Sequence, residues 1–183
     1  NEILNNASNS FLDDKNALVQ LFKKEICNLT KLHHFFEEKS IYWQDDLDHV
    51  SSMVIKTIKS MDENKDFDVL PLWKEDEYDF AQNLFRKAIT QKLENDTILQ
   101  EYSKNWEKER LATMDSLLMN MAMTEAIEFS SIPVKVTLNE YIEISKFYST
   151  PKSNGFINGI LDRIFEDFKQ EGKLVKRGRG LIN

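Results

Sequence analysis

One cysteine, three prolines and five glycines in 183 residues set the first limits. Cys27 alone excludes an intrachain disulfide framework. So few chain breakers argue against a fold of many tight turns. The long stretches of Leu, Ile, Lys, Glu and Phe then favour helices over strands. There is no apolar run of membrane-spanning length and no leader-like segment, which points to the cytoplasm. A phosphate-cradling glycine loop, a nucleophile elbow and a paired catalytic constellation are all missing, so the expectation is a non-enzymatic protein with no cofactor. His33 and His34 lie near Cys27 and Glu37, but nothing completes a tetrahedral set, and no metal is expected.

Positive charge is scarce as well. The formal net charge is -7, and what cations there are crowd the end of the chain. Beyond Glu171 come Lys173, Lys176, Arg177 and Arg179 with no acid; without those four the remainder stands at -11. Such a body repels phosphate except where local cations or a partner protein overcome it. The tail cluster is a candidate for tracking a nucleic-acid backbone, although a solvated terminus is the commoner meaning of such a segment.

What is present reads as helix throughout. Residues 1–10 form a polar lead-in. Asp13 and Asp14 open a helix whose stripe is Leu18, Leu21, Phe22, Leu29, Leu32 and Phe36, with a break at Asn28-Leu29-Thr30. Asp45 and Asp46 cap a second, with Leu47, Val50, Val54, Ile58 and Met61 inward. A charged loop at 62–68 and an extended Val69-Leu70-Pro71-Leu72-Trp73 linker follow. A helix over 75–93 turns Tyr78, Ala81, Phe85, Ala88 and Ile89 inward, and a short helix or turn over 96–103 leads to Trp106. The helix over 107–129 is the longest. Its stripe is Leu111, Met114, Leu118, Ala122 and Phe129, and Asp115 and Glu125 fall in the same angular range. A carboxylate on a core-facing strip needs a partner, for which Arg110 or a lysine is a candidate.

Pro133 breaks the chain, and Thr137 with Glu140 has capping-box spacing, with Val136 and Tyr141 as its staple. Thr150-Pro151 caps the last helix and Gly172 ends it. Ile157, Leu161, Ile164 and Phe168 face the core. Gly155 and Gly159 leave one flank of that helix bare, suited to close packing or ligand approach. The domain reading is a helical extension over 1–40, a helical domain over 41–172 and a basic tail over 173–183.

Residues 132–148, IPVKVTLNEYIEISKFY, resemble the signature of the NusB family, roughly I-P-x-K-V-x-I-N-E-A-x-E-L-A-K-x-F/Y. Residues 153–162, SNGFINGILD, resemble that family's S-x-x-F-V-N-G-V-L-D. The run WEKERL at 106–111 and the helix through Asp115, Ala122 and Glu125 resemble its preceding segment. The resemblance covers about a third of the chain, residues 106–164. It implies an all-α fold of two small helical bundles packed at an angle. It also implies a transcription antitermination factor of ribosomal RNA synthesis, working within the RNA polymerase antitermination complex. Its implied partners are the ribosomal protein NusE and single-stranded boxA-type RNA, with the chain itself a monomer or homodimer.

Lys135 and Lys146 as cations, Lys152 and Ser153 at the N-terminus of the last helix, where side chains and free amides can meet a phosphate, and Asn120 at a family Arg position are the candidate RNA contacts. By the same resemblance Asp115 and Phe156, with Tyr148 nearby, are the candidate partner contacts. Asn139, Glu140 and Asn158 match the pattern and are expected to cap and cross-link helices. The sequence departs from the pattern in three places. No Arg-rich N-terminal helix is evident; Asn120 stands where relatives often carry Arg; Gly155 stands where some carry a basic residue. The chain begins on Asn1, which fits a fragment whose Arg-rich element lies upstream. The departures keep two rivals open: a protein-interaction scaffold that has lost RNA binding, and a detached helper domain of an RNA-modifying enzyme.

Overall fold

The computed structural model describes residues 10–103 and 112–177, and every regular element among them is helical. The chain divides into two compact units, Asn1–Lys74 and Glu75–Asn183.

The first unit contains α1 (Phe11–Leu21), α2 (Thr30–Lys39) and α3 (Trp43–Ser60). The Ser10 hydroxyl accepts from the Asp13 amide and opens α1. A wide π turn, Phe22–Ile26, ends it, and the Asn28 side chain donates to the freed carbonyls of Lys23 and Lys24. That is the expected break. The inward stripe of α1 is set by Val19 and Phe22, while Leu18, Leu21 and Leu29 are exposed, so the expected stripe is out of phase before the break. In α3 the expected stripe faces inward. That helix starts at Trp43 without the expected Asp cap, and Trp43 meets Phe36 at 4.5 Å between ring centroids. The linker returns along α3: the Leu70 amide donates to Thr57 Oγ1, and the Trp73 ring stacks on His49 at 4.4 Å. The His33 ring meets the Cys27 carbonyl oxygen, and among the described residues no group of three His, Cys, Asp or Glu is placed to hold a metal.

The second unit contains α4 (Glu75–Thr90), α5 (Lys92–Ser103), α6 (Thr113–Glu128), α7 (Val134–Tyr148) and α8 (Ser153–Gln170). Its core is built from α6 and α8, where Met119, Ala122, Met123, Ala126, Ile157, Ile160, Leu161 and Ile164 are wholly buried. Leu99 of α5 and Tyr141 of α7 close it. In α4 the buried positions are Leu84 and Ala88, and Phe80 packs edge-on against Phe129. Tyr78, Ala81, Phe85 and Ile89 are exposed, contrary to expectation. The helix carries apolar side chains on two faces, and periodicity alone does not choose between them. Residues 104–111, with Trp106, Arg110 and Leu111, lie outside the described residues, as do the lead-in at 1–9 and Arg179.

α8 ends in a Schellman motif. Gly172 has φ +72°, its amide donates to the Lys169 carbonyl, and the Lys173 amide donates to the Phe168 carbonyl. The tail then lies against the unit as far as Arg177. Leu174 packs on the core, the Lys176 ammonium donates to the Phe129 carbonyl, and the Arg177 amide donates to the Ser130 carbonyl. Burial pushes the Lys176 amine down from its ordinary pKa.

The packing generates one stability prediction. Leu161→Ala should cost about 2–5 kcal/mol, read as a lower urea midpoint at unchanged slope. A second prediction concerns pH. Glu128 on α6 accepts from the Lys87 ammonium of α4 and from the side-chain amide of Gln91, which follows α4. The Lys87 hydrogen bond holds its carboxyl below the ordinary 4.5. A depressed folded pKa stabilises the fold above the unfolded value and loses that contribution as pH falls. Glu128→Gln should therefore be less stable than the parent at pH 7. The gap should shrink as pH drops below 4.5, measured by thermal unfolding across pH.

Candidate functional site

Where α7 runs into α8, the chain must turn within Ser149-Thr150-Pro151-Lys152. α7 begins at Val134, with Pro133 as its extended cap residue at φ -61° and ψ 140°. This is one turn earlier than the capping box predicts. Thr137 consequently lies inside the helix, wholly buried, and its hydroxyl donates to Glu125 Oε1 at 2.7 Å. The Tyr141 hydroxyl donates to Glu125 Oε2 at 3.1 Å, and burial first, then the Glu125 charge, pushes its pKa well above the ordinary tyrosine range. Val136 is exposed and forms no staple.

The other end of α7 repeats the device. Asp115 is buried at the start of α6 and accepts from the Ser149 hydroxyl and, at 2.9 Å, from Ser153 Oγ. Ser153 Oγ also accepts from the Thr150 amide at 3.3 Å and meets Thr150 Oγ1 at 2.8 Å. Among the described residues both carboxylates thus take their hydrogen bonds from hydroxyls, and the expected cation Arg110 lies outside those residues. The helix begins at Ser153, so Thr150 and Pro151 form the turn that precedes it.

This geometry sorts the candidate residues. Lys135, Lys146 and Lys152 are exposed, with Lys146 paired to Glu143 on its own helix. Tyr148 is 47% exposed, and Phe156 is half-buried against the core. The two are neither sealed nor free of packing. Three candidates are interior, which corrects the direct-contact expectation for their side chains. Ser153 and Asp115 are spent on each other. Asn120 accepts from Asn95 Nδ2 at 2.7 Å and donates to the Ala88 carbonyl at 3.1 Å. A side chain so placed has no surface for RNA or a partner. Asn139, Glu140 and Asn158 are exposed, and among the described residues they do not cross-link helices as expected. A Cβ on Gly155 would meet nothing within 4 Å, so that position is open and not a close helix contact. Sequence reasoning missed Phe147, the most exposed large hydrophobic side chain among the described residues at 84%. Its signal was its position outside the inward stripe of α7.

Removing a buried donor leaves an unsatisfied carboxylate oxygen. Thr137→Val should therefore destabilise by about 1–3 kcal/mol despite conserving shape, measured by urea unfolding.

Among the described residues no helix is long and apolar enough to cross a membrane. Compared with known proteins, the chain matches the sequence profile of the NusB family over residues 49–166. It is 46% identical over 104 residues to the transcription antitermination protein NusB of Salinibacter ruber, covering 57% of this chain and 65% of that one. It is 41% identical over 105 residues to the protein of the same name from Chloroherpeton thalassium, covering 57% of this chain and 50% of that one. The chain thus spans between half and two thirds of these relatives' lengths. A solved structure of T. maritima NusB aligns with a TM-score of 0.50 over 85% of this chain and 95% of that one, at 23% identity, which speaks to the fold.

Proposed function

The chain belongs to the NusB family, and from that premise we propose that it is a cytoplasmic, non-enzymatic antitermination factor that joins a ribosomal protein to RNA. The ribosomal-protein partner is NusE, the RNA is a single-stranded boxA-type element, and the assembly acts within the RNA polymerase antitermination complex on ribosomal RNA synthesis. The work is done by assembly and not by chemistry. The observation that carries this reading is the turn between α7 and α8. Asp115 accepts from Ser149 and Ser153 on either side of it, and Lys152, Tyr148 and Gly155 in and beside the turn are exposed.

Electrostatics give the partner a definite task. Outside the tail cations the chain carries -11, so alone it offers phosphate little. A cationic partner supplies the missing field, and Lys135, Lys146 and Lys152 add local contacts. The burial of Asn120 favours one rival, a scaffold that keeps the protein partner and has lost RNA. Titrating boxA-type RNA against the chain, alone and with NusE, separates the two. The antitermination reading expects salt-sensitive binding that strengthens with NusE. Lys152→Ala should lower the slope of log K against log salt by about 0.7, the loss of one phosphate contact on a single strand. Binding of NusE with no RNA binding in either case would establish the scaffold.

A further inference from the structure

The pair Asn-Gly occurs twice in the sequence, at 154–155 and at 158–159, and both pairs lie in α8. A glycine leaves its own backbone nitrogen unshielded, since no Cβ stands beside it. The two glycines sit in different backbone environments. Gly159 lies well inside the helix, where each amide donates to the carbonyl four residues back. Gly155 lies in the first turn, among the amides that have no partner within the helix. Among the described residues its amide has one acceptor, the side-chain oxygen of Asn154 itself, at 2.6 Å. The Asn154 side chain is thus folded back over the nitrogen that follows it. Gly155 is exposed, and a Cβ there would meet nothing within 4 Å, so water and base have free access.

We infer that Asn154 is a site of spontaneous, backbone-assisted deamidation, and that the helix protects Asn158 from the same reaction. The Gly155 nitrogen gives its proton to hydroxide and bonds to Asn154 Cγ. The C–N bond of the side-chain amide breaks, and its nitrogen takes a proton from water and leaves as ammonia. Water then opens the resulting succinimide. Breaking the bond from the Gly155 nitrogen to Cγ gives aspartate; breaking its bond to the Asn154 backbone carbonyl carbon gives isoaspartate. The net change consumes one water and releases one ammonia. Ring closure needs the first turn to open, and helix ends fray more readily than helix interiors. Both products set a carboxylate two residues from Lys152, offsetting the cation of the turn. They differ in their effect on the helix. Aspartate near a helix N-terminus is favourable. Isoaspartate routes the backbone through an extra methylene beside Ser153, whose Oγ must reach Asp115.

The test incubates the whole chain in warm, mildly alkaline buffer and maps its peptides by mass. Residue 154 should gain the mass of the amide-to-acid exchange and give two product peptides, aspartyl and isoaspartyl, while Asn158 stays an amide. The rate should rise with pH, since the attacking nitrogen must first lose its proton. In urea strong enough to unfold the chain, the two sites should convert alike. Gly155→Ala places a methyl in open space and replaces glycine by a better helix former, so the fold is kept. That variant should lose the conversion at 154 over an incubation that converts most of the parent, because the new Cβ shields the nitrogen. Asn154 persisting in the parent as long as Asn158 overturns the inference. So does conversion of Gly155→Ala as fast as the parent, which marks direct hydrolysis of the side chain. A slower Asn158 in urea as well assigns the difference to sequence and overturns the protective role of the helix.

Discussion

Glu125 and Asp115 are carboxylates placed on the buried side of α6, and the arrangement of the last three helices follows from satisfying them. A carboxylate taken out of water costs several kcal/mol unless hydrogen bonds replace its hydration. Glu125 takes its bonds from Thr137 and Tyr141 near the start of α7. Asp115 takes its bonds from Ser149 and Ser153, which flank the turn into α8. The two acids therefore pin α7 at both ends and fix the register of α8 against α6. Apolar burial supplies the driving force, but it is indifferent to small sliding along a helix. The hydroxyl contacts are directional and are not.

That constraint also shapes the surface around the turn. Lys152 in the turn, with Tyr148 and Gly155 beside it, is exposed above these hydrogen bonds. The buried polar residues around this turn hydrogen-bond to one another and hold their neighbours in place. Asp115 and Ser153 belong to this class, and Asn120 with Asn95 and Thr124 forms a second buried polar link between α5 and α6.

Much of the helical plan was readable in the residues. Pro133, the Asn28 break and Gly172 each mark a boundary by a local mechanism that tertiary packing leaves alone. The α3 stripe was readable because only one of its faces is apolar. The α1 and α4 stripes were not, since each offers apolar residues on more than one face and the choice is made by neighbouring helices. Thr137 misled for a related reason. Its spacing to Glu140 fits a capping box, but its hydroxyl was worth more to a buried carboxylate than to a helix end. The family signature marks positions and cannot distinguish an exposed side chain from a buried one that holds its neighbours in place, as Asp115 and Ser153 do.

The central claim is that Asp115 holds the α7–α8 turn in its binding geometry. Native-state hydrogen exchange on Asp115→Ala tests it most directly. The account requires the amides from Ser153 to Phe156 to lose protection while those around Met123 in the middle of α6 keep theirs. Equal protection at the turn in the parent and the variant would contradict it.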